Sequence, residues 1–415
     1  MNVFDKAYER LTELYGGKDS TDIRILNRFY YEKKILLQCE FYMRYLELFA
    51  RIRETAEKKA EHILTMGTTG ASFVAYLLGA TDINPLPRHE YCPVCHKVRF
   101  VDGERHPFEC GHETCECGAT LISDGYDIPF DTNLKSVLSG HVQLGTSRVF
   151  FEEAKGMITE EMWDKSIVTL TSGEEISPTW FCFFDSDEDD SEEFILSDNR
   201  KLFEPFPRIT LVPIDRLDRF RELEQTTGVK MRDVHRTHAM EVFLALIGGD
   251  VEGVPHVEQK AMKDLITRIK PESYDDLLRL IGYAHGVGVW TDNGERWFDD
   301  RKMPLCEIPA YCEDIYTAVC EKLSKNGLYE NGIAYEVMDR ARRGSYARNK
   351  VDKDTADALH TLGFESDFVF FLEKIQSMFT KAQGVAYLRE AIAMMWYKIH
   401  RKEEFEKIMS GERQF

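Results

Sequence analysis

The sequence has no apolar run long enough to cross a membrane. None of its uninterrupted apolar stretches approaches the roughly 20 residues that span a bilayer as a helix. Its N-terminus also lacks the apolar core of a secretory signal peptide, because Met1 is followed by Asn-Val-Phe-Asp-Lys. These absences predict a cytoplasmic protein with no membrane partner.

Positive charge is scarce in this chain. It has 53 Lys and Arg against 72 Asp and Glu, which gives a formal net charge of −19. DNA attracts Lys and Arg surfaces, so a chain this acidic needs a locally basic groove to bind it. Much of the excess lies in the run 185–193, which predicts a solvated acidic loop. Metal binding and nucleic-acid mimicry are the alternatives for this run.

The cysteines do not form the pattern of a disulfide scaffold. Five of the ten fall between residues 92 and 117, and the others stand singly in apolar or amphipathic settings. Cys92-Pro-Val-Cys95 and Cys115-Glu-Cys117 supply two thiolate pairs, which is the donor set that a tetrahedral zinc ion prefers. We expect Cys92, Cys95, Cys115 and Cys117 to bind a structural zinc. Cys110 is the first substitute ligand, and His106 and His112 are also within reach.

Residues 67–72 form a small, flexible loop before the apolar run 73–78. Such a loop can present backbone N–H groups and a helix N-terminus to a phosphate. Around it, helix is predicted over 20–64 with a possible break near Cys39. Strands are predicted at 166–171 and 180–184, and a helix at 214–227. Helical periodicity then dominates from about residue 233, so the fold class is α+β.

Several longer runs occur in a particular order. Gly67-Thr-Thr-Gly-Ala-Ser72 is followed by Asp82-Ile-Asn-Pro-Leu-Pro-Arg-His-Glu-Tyr-Cys-Pro-Val-Cys95 and by Asp124-Gly-Tyr-Asp-Ile-Pro-Phe130. These runs resemble the palm of PolC-type bacterial DNA polymerase III alpha subunits. Residues 271–293 and 378–400 are similar to the fingers of the same family. The resemblance spans roughly residues 8 to 402.

This resemblance implies a polymerase-like mixed palm with a zinc-ribbon insert and a mostly α-helical, fingers-like C-terminal domain. The implied domains are a helical first part of the palm at 1–90, the zinc insert at 91–126, the palm remainder at 127–232 and the fingers at 233–415. A PHP domain, a proofreading exonuclease and a clamp-binding tail are not expected.

The family's catalytic carboxylates are missing from the matching positions. Polymerases of this class need acids on neighbouring palm strands to hold two Mg²⁺ ions. Here the run that begins at Asp127 reaches Ser139-Gly140 without the family's D-x-D. The third acid's position is taken by Val212, and Asp215 is out of register. The resemblance therefore implies no catalytic residue and no Mg²⁺.

The residues that would handle a nucleotide are partly retained. Gly67, Gly70 and Ser72 persist as a phosphate- or nucleotide-binding remnant, while Met66 replaces the family's arginine. In the fingers, Lys381 remains as a phosphate contact. Tyr387 remains as a base contact, and Gln383 replaces a histidine. The alternative interpretation is inherited folding, with glycines for turns and aromatic residues for the core.

Two further groups of side chains bear on binding. Arg342, Arg343 and Arg348 are candidate contacts to a nucleic-acid backbone, and a solvated helical face explains them equally well. His235, His238 and His256 lie in no recognised ligand motif, so surface or capping roles are expected for them.

Three functions follow from these patterns. The first is a non-catalytic relative of the polymerase that binds DNA, a nucleotide or a replication-type protein. The second is a minimal polymerase or nucleotidyltransferase that uses other acids, such as Asp127, Asp131 or Asp215. The third is an interaction module whose acidic loop at 185–193 binds a basic partner.

Overall fold

The computed structural model describes most of the chain and has a mixed α+β fold. The described residues are 2–18, 21–101, 107–108, 113–139, 141–163, 168–169, 175–176, 180–183, 194–195, 208–231, 239–328 and 331–411. The predicted acidic loop at 185–193 lies outside these residues. So do the alternative metal ligands Cys110, His106 and His112.

The helices are, in chain order, α1 Val3–Tyr15, α2 Ile23–Leu36, α3 Glu40–Lys58, α4 Phe73–Leu77, α5 Leu134–Ser139, α6 Arg148–Trp163, α7 Asp215–Thr227, α8 Ala239–Gly248, α9 Lys260–Ile269, α10 Tyr274–His285, α11 Glu295–Asp299, α12 Cys312–Lys325, α13 Gly332–Arg342, α14 Ser345–Asn349, α15 Lys353–Thr361, α16 Ser366–Lys374, α17 Lys381–His400 and α18 Lys402–Met409. The strands are β1 Ile63–Thr65, β2 His89–Tyr91, β3 Val98–Phe100, β4 Ile122–Asp124, β5 His141–Thr146, β6 Val168–Thr169, β7 Glu175–Ile176, β8 Trp180–Phe183, β9 Phe194–Ile195 and β10 Arg208–Pro213.

The N-terminal helices begin at side-chain caps. Asn2 accepts a hydrogen bond from the N–H of Phe4 at the start of α1, and Asp22 caps α2 through the N–H of Arg24. The predicted break near Cys39 is confirmed, because α2 ends at Leu36 and α3 begins at Glu40.

A five-stranded sheet has the strand order β1-β5-β10-β8-β9. Strand β10 lies parallel to both β5 and β8, while β1 and β9 are antiparallel edge strands. Val142, Leu144, Ile209 and Leu211 alternate along β5 and β10 and are buried, so one face of the sheet forms a hydrophobic core. Helices α3 and α6 pack against this sheet.

A second, smaller sheet has the order β3-β2-β4, and each of its strands has three residues. It carries the predicted metal ligands. Strand β2 ends one residue before Cys92, and β4 follows the second cysteine pair by a few residues.

The chain divides into two compact units. The first contains Met1–Gly103, Cys110–Thr237 and Trp396–Phe415, and all three described sheets, including the two-stranded β6-β7 pair, belong to it. The second contains Glu104–Glu109 and His238–Met395, and it is helical over the part that the structure describes. Among the described helices, none is both long enough and apolar enough to cross a membrane.

Candidate metal centre and glycine loop

The first cysteine pair forms a tight turn after β2. The N–H of Cys95 points at the Cys92 sulfur at 3.4 Å, and the N–H of His96 donates to the Cys92 carbonyl at 3.0 Å. His96 has a φ of 58°, in the left-handed region that closes such a turn. Hydrogen bonds from the N–H groups of Cys95 and Val94 lower the pKa of Cys92 to about 6. This favours the thiolate of Cys92, the form that binds a metal, whereas hydrogen bonds with the neighbouring thiols raise the pKa of Cys95 and of Cys117 above the usual value despite backbone hydrogen bonds that lower it.

The second cysteine pair forms a matching turn before β4. The N–H of Gly118 donates to the Cys115 carbonyl, and the N–H of Cys115 donates to the Ala119 carbonyl, both at 2.8 Å. Gly118 has a φ of +88°, a backbone conformation that favours glycine. The two turns therefore hold their thiols by backbone geometry.

The four thiols converge on one point. The sulfur atoms of Cys92, Cys95, Cys115 and Cys117 all lie within 4.8 Å of one another. The Cys92–Cys117 and Cys95–Cys115 sulfur distances are 3.4 and 3.5 Å. In a tetrahedron with Zn–S bonds of about 2.3 Å the sulfur atoms lie about 3.8 Å apart. The cluster therefore fits a metal such as zinc with little adjustment.

The glycine loop begins as predicted, with a residue that needs conformational freedom. Gly67 has a φ of +62°, and a Cβ there would lie 2.9 Å from the side-chain oxygen of Gln143. The next residue, Thr68, donates its hydroxyl to the Ser136 hydroxyl at 2.9 Å. The loop then enters α4, whose N-cap is Ser72.

A buried carboxylate occupies the start of α4. Glu32, on α2, accepts hydrogen bonds from the Ser72 hydroxyl at 2.8 Å and from the N–H groups of Phe73 and Val74 at 2.9 and 3.0 Å. Its charge is balanced by Arg28, whose Nε lies 2.5 Å from the Glu32 carboxylate. Arg28 also donates to the carbonyl of Ala71 at 2.7 Å. The chain itself thus supplies the anion for this helix N-terminus.

The Glu32 carboxylate occupies the place where a phosphate would bind at Ser72, one residue of the predicted phosphate-binding loop. Gly70 and Ser72 are buried, and Gly67 is half-buried. A phosphate at Ser72 would have to displace the Glu32 carboxylate. Phosphate binding at Gly67, Gly70 and Ser72 stays a prediction.

The strands of the five-stranded sheet carry no acidic residue. Strands β1, β5, β8, β9 and β10 contain neither Asp nor Glu along their described residues. Val212 lies on β10 directly beside Gly145 of the parallel strand β5. That the resemblance assigns the third acid's position to Val212 stays a prediction.

The three alternative acids lie in separate settings. Asp215 is the first residue of α7, and its carboxylate binds the Arg148 guanidinium at 2.5 Å. Asp131 accepts a hydrogen bond from the Tyr31 hydroxyl, and Asp127 is exposed in a turn with a φ of 49°. Within the described residues, the cysteine cluster is the one group of three or more Cys, His, Asp or Glu side chains that meets metal-binding geometry.

In the second unit, the N-terminus of α17 is also held by a glutamate. The N–H of Lys381 donates to the carboxylate of Glu313 at 2.9 Å. The ring of Tyr387 is stacked on His256 at a centroid distance of 3.7 Å, and it contacts Phe379 and His285 as well. These contacts place Tyr387 in an aromatic cluster of the protein's own side chains.

The expectation of a surface or capping role for His256 is wrong. His256 is 6% exposed, and its Nε2 lies 2.8 Å from the carboxylate of Glu390. The sequence did not reveal this pairing because Glu390 lies 134 positions further along the chain.

The arginine-rich stretch is largely paired with its own acids. Arg342 and Arg343 both bind Asp339, at 3.2 and 3.0 Å. Arg340 is likewise paired with acidic neighbours. Arg348 is exposed and forms no ion pair among the described residues. This pattern fits the solvated helical face that was the alternative to nucleic-acid contacts.

Comparisons with known proteins bear out the resemblance. Residues 211–318 match the family model of the bacterial DNA polymerase III alpha subunit finger domain. The DNA polymerase III PolC-type of Caldanaerobacter subterraneus subsp. tengcongensis is 24% identical over 416 residues, which cover 82% of this chain and 29% of that protein. That of Staphylococcus saprophyticus is 23% identical over 472 residues, 96% of this chain and 32% of that protein.

The chain is a relative of PolC-type DNA polymerase III. It spans less than a third of the length of these PolC proteins. The fingers match begins at Leu211, within β10, so it starts earlier than the predicted fingers boundary at residue 233. PolC similarity thus extends through the described parts of both units.

Sequence reasoning missed Glu32 and Glu313, two buried glutamates that bind helix N-termini in the described part of this PolC relative. A signal for Glu32 was present, because it shares the buried stripe of α2 with Ile25, Phe29 and Leu36. A carboxylate on an apolar helical face needs a buried partner, and that need marks it as a candidate.

Proposed function

We propose that this chain is a catalytically degenerate relative of the PolC palm and fingers. Its five-stranded sheet is the counterpart of the palm, and its helical second unit is the counterpart of the fingers. It binds DNA, a nucleotide or a replication-type protein partner without transferring nucleotides. The finger-domain match at 211–318 and the similarity to PolC proteins over 82–96% of the chain support this assignment.

The observation that carries the proposal is the absence of acids from the strands of the sheet. Two-metal phosphoryl transfer needs carboxylates that bridge both ions beside the primer 3′ end. The described strands of the sheet carry no carboxylate, and Val212 lies beside Gly145 on the neighbouring strand. The nearest substitute along the chain, Asp215, is bound to Arg148.

The glycine loop supports the same conclusion. In this chain the Ser72 hydroxyl and two N–H groups of α4 are bound to Glu32 rather than left open to a ligand. The loop then serves to start a helix and to join α2 to α4. Lys381 is then the stronger candidate for contact with a nucleotide phosphate.

The metal part of the proposal is a structural zinc ribbon. Cys92, Cys95, Cys115 and Cys117 would hold the ion, and four thiolates leave no position for substrate or water. Zinc bound there would hold the two cysteine turns together and stabilise the small sheet. It would take no part in chemistry.

A primer-extension assay tests the loss of catalysis. We expect the zinc-loaded protein to give no template-directed incorporation above a protein-free blank, with either Mg²⁺ or Mn²⁺. A PolC-type polymerase run on the same primed template is the positive control. Incorporation that follows the template sequence contradicts the proposal.

Two matched variants test the alternative hypothesis that the chain is a minimal polymerase. If extension occurs and Asp215→Asn abolishes it, the chain is a minimal polymerase that uses Asp215. Asp218→Asn is the control, because Asp218 lies on the same first turn of α7 and accepts the N–H of Arg148.

A further inference from the structure

A buried polar network joins the small sheet to two helices. The ring of His89 donates from Nδ1 to the carbonyl of Pro87 at 2.8 Å, so its Nε2 accepts the Tyr15 hydroxyl at 3.0 Å. Asn84 donates to the Tyr15 oxygen at 3.0 Å and to the Asp124 carboxylate at 2.8 Å. The hydroxyl of Tyr76, on α4, donates to the same carboxylate at 3.1 Å.

This network lies at the opposite end of the small sheet from the cysteines. His89 of β2 is the register partner of Asp124 of β4, and Tyr91 is the partner of Ile122. Cys92 follows Tyr91 directly, so it stands three residues, or roughly 10 Å, from His89 along the chain. The metal cluster and the network therefore hold the two ends of the same short strands.

The register of the short strands links the two ends. Three strands of three residues do not form a sheet that is stable in water by itself. A slip of one residue would turn His89 and Asp124 out of the network, because side chains alternate between the faces of a strand. The same slip would carry Cys92 away from Cys117, since both strands continue into the cysteine turns.

We propose that Tyr15 and Asp124 are positioning residues for the metal centre. By fixing the register of β2 against β4 they preset the four thiols, so metal affinity depends on side chains that do not touch the metal. Linkage makes the effect reciprocal, and a bound metal stabilises the network by the same factor. The inference rests on the proposed binding of zinc by the cysteine cluster.

The test compares two Tyr→Phe variants of the full chain. Tyr15→Phe removes the hydroxyl of the network. Tyr42→Phe is the matched control, because the Tyr42 hydroxyl is also buried and accepts a hydrogen bond from Asn133 at 2.8 Å, away from the small sheet. Zn²⁺ affinity is measured by competition with a chromogenic chelator at a temperature where all the proteins are folded.

We expect wild type to bind one Zn²⁺, Tyr15→Phe to bind it at least about fivefold more weakly, and Tyr42→Phe to stay within about twofold of wild type. Zn²⁺ should also raise the unfolding temperature of wild type by more than that of Tyr15→Phe.

Equal affinity in wild type and Tyr15→Phe overturns the inference and leaves the metal centre intact. An equal loss in both variants also overturns it, because the effect would then come from general weakening of the core. Wild type that binds no Zn²⁺ overturns the metal centre and the inference together. If Tyr15→Phe does not fold, Asp124→Asn carries the same expectation, since it keeps the size of the side chain and removes its charge.

Discussion

Glu313 is a carboxylate buried almost completely inside the second unit. It is 2% exposed, and one of its oxygens accepts from the N–H of Lys381 and from the thiol of Cys312. The other oxygen has no hydrogen-bond partner among the described residues. Burial raises the pKa of Glu313 above its usual value, because a charge inside the protein loses its hydration.

The stability of the Glu313→Gln variant relative to wild type should therefore increase as pH rises. Below about pH 4.5 the side chain is neutral in the folded and the unfolded state, so it adds nothing. Above that pH the unfolded chain ionises first, which favours unfolding until the pH reaches the raised folded pKa. The unfolding temperature of Glu313→Gln minus that of wild type should increase between pH 4.5 and pH 8.

Glu321→Gln is the control for this measurement, because Glu321 is exposed on the same helix. It reports the effect of a Glu→Gln change at an exposed position of the same helix. A Glu313→Gln difference that depends on pH no more than the Glu321→Gln difference would show that the ionisation of Glu313 is not linked to folding.

At the scale of elements, local signals located the turns and helices well. The loop at 67–72, the break between α2 and α3, and helix α7 at Asp215–Thr227 follow from glycine, capping and periodic apolar residues. The partner of the loop could not be found in this way. Glu32 lies 41 positions before Phe73, and only packing of α2 beside α4 brings them together.

Glu32→Gln should destabilise the first unit by about 2 to 4 kcal/mol. The change leaves Arg28 without its buried counter-charge and weakens the acceptor for two N–H groups of α4. Urea unfolding followed by circular dichroism measures the loss.

Glu54→Gln serves as the matched control, because Glu54 pairs with Lys58 on the exposed face of α3 and should leave the unfolding midpoint unchanged. Equal midpoints for Glu32→Gln and Glu54→Gln would contradict a stabilising role for the buried pair.

At the scale of the whole molecule, charge limits how DNA can be held. The chain has a net charge of −19, and Arg342 and Arg343 share Asp339 as an internal counter-ion. Arginines that already bind acids neutralise few phosphates, so few condensed counter-ions leave the DNA when the protein binds. Any DNA binding by this chain should therefore depend on few phosphate contacts.

We expect log affinity for a primed template to fall with log salt concentration at a slope no steeper than about −2, since each phosphate contact contributes about −0.9. Fluorescence anisotropy with labelled DNA at several salt concentrations measures the slope. Arg348→Ala should make it shallower by about one unit, whereas Arg343→Ala should change it little. A slope of about −5 or steeper would indicate an extensive basic interface.

The sequence by itself determined the parts that depend on neighbouring residues. It predicted the four cysteines whose sulfur atoms converge, the α+β class, the glycine loop and the relationship to PolC, because short motifs and periodicity are properties of local sequence. The tertiary structure decided which groups satisfy one another. It paired Glu32 with α4, Glu313 with α17 and His256 with Glu390. A buried charge must find a partner, but the chain positions of that partner are set only when the helices pack.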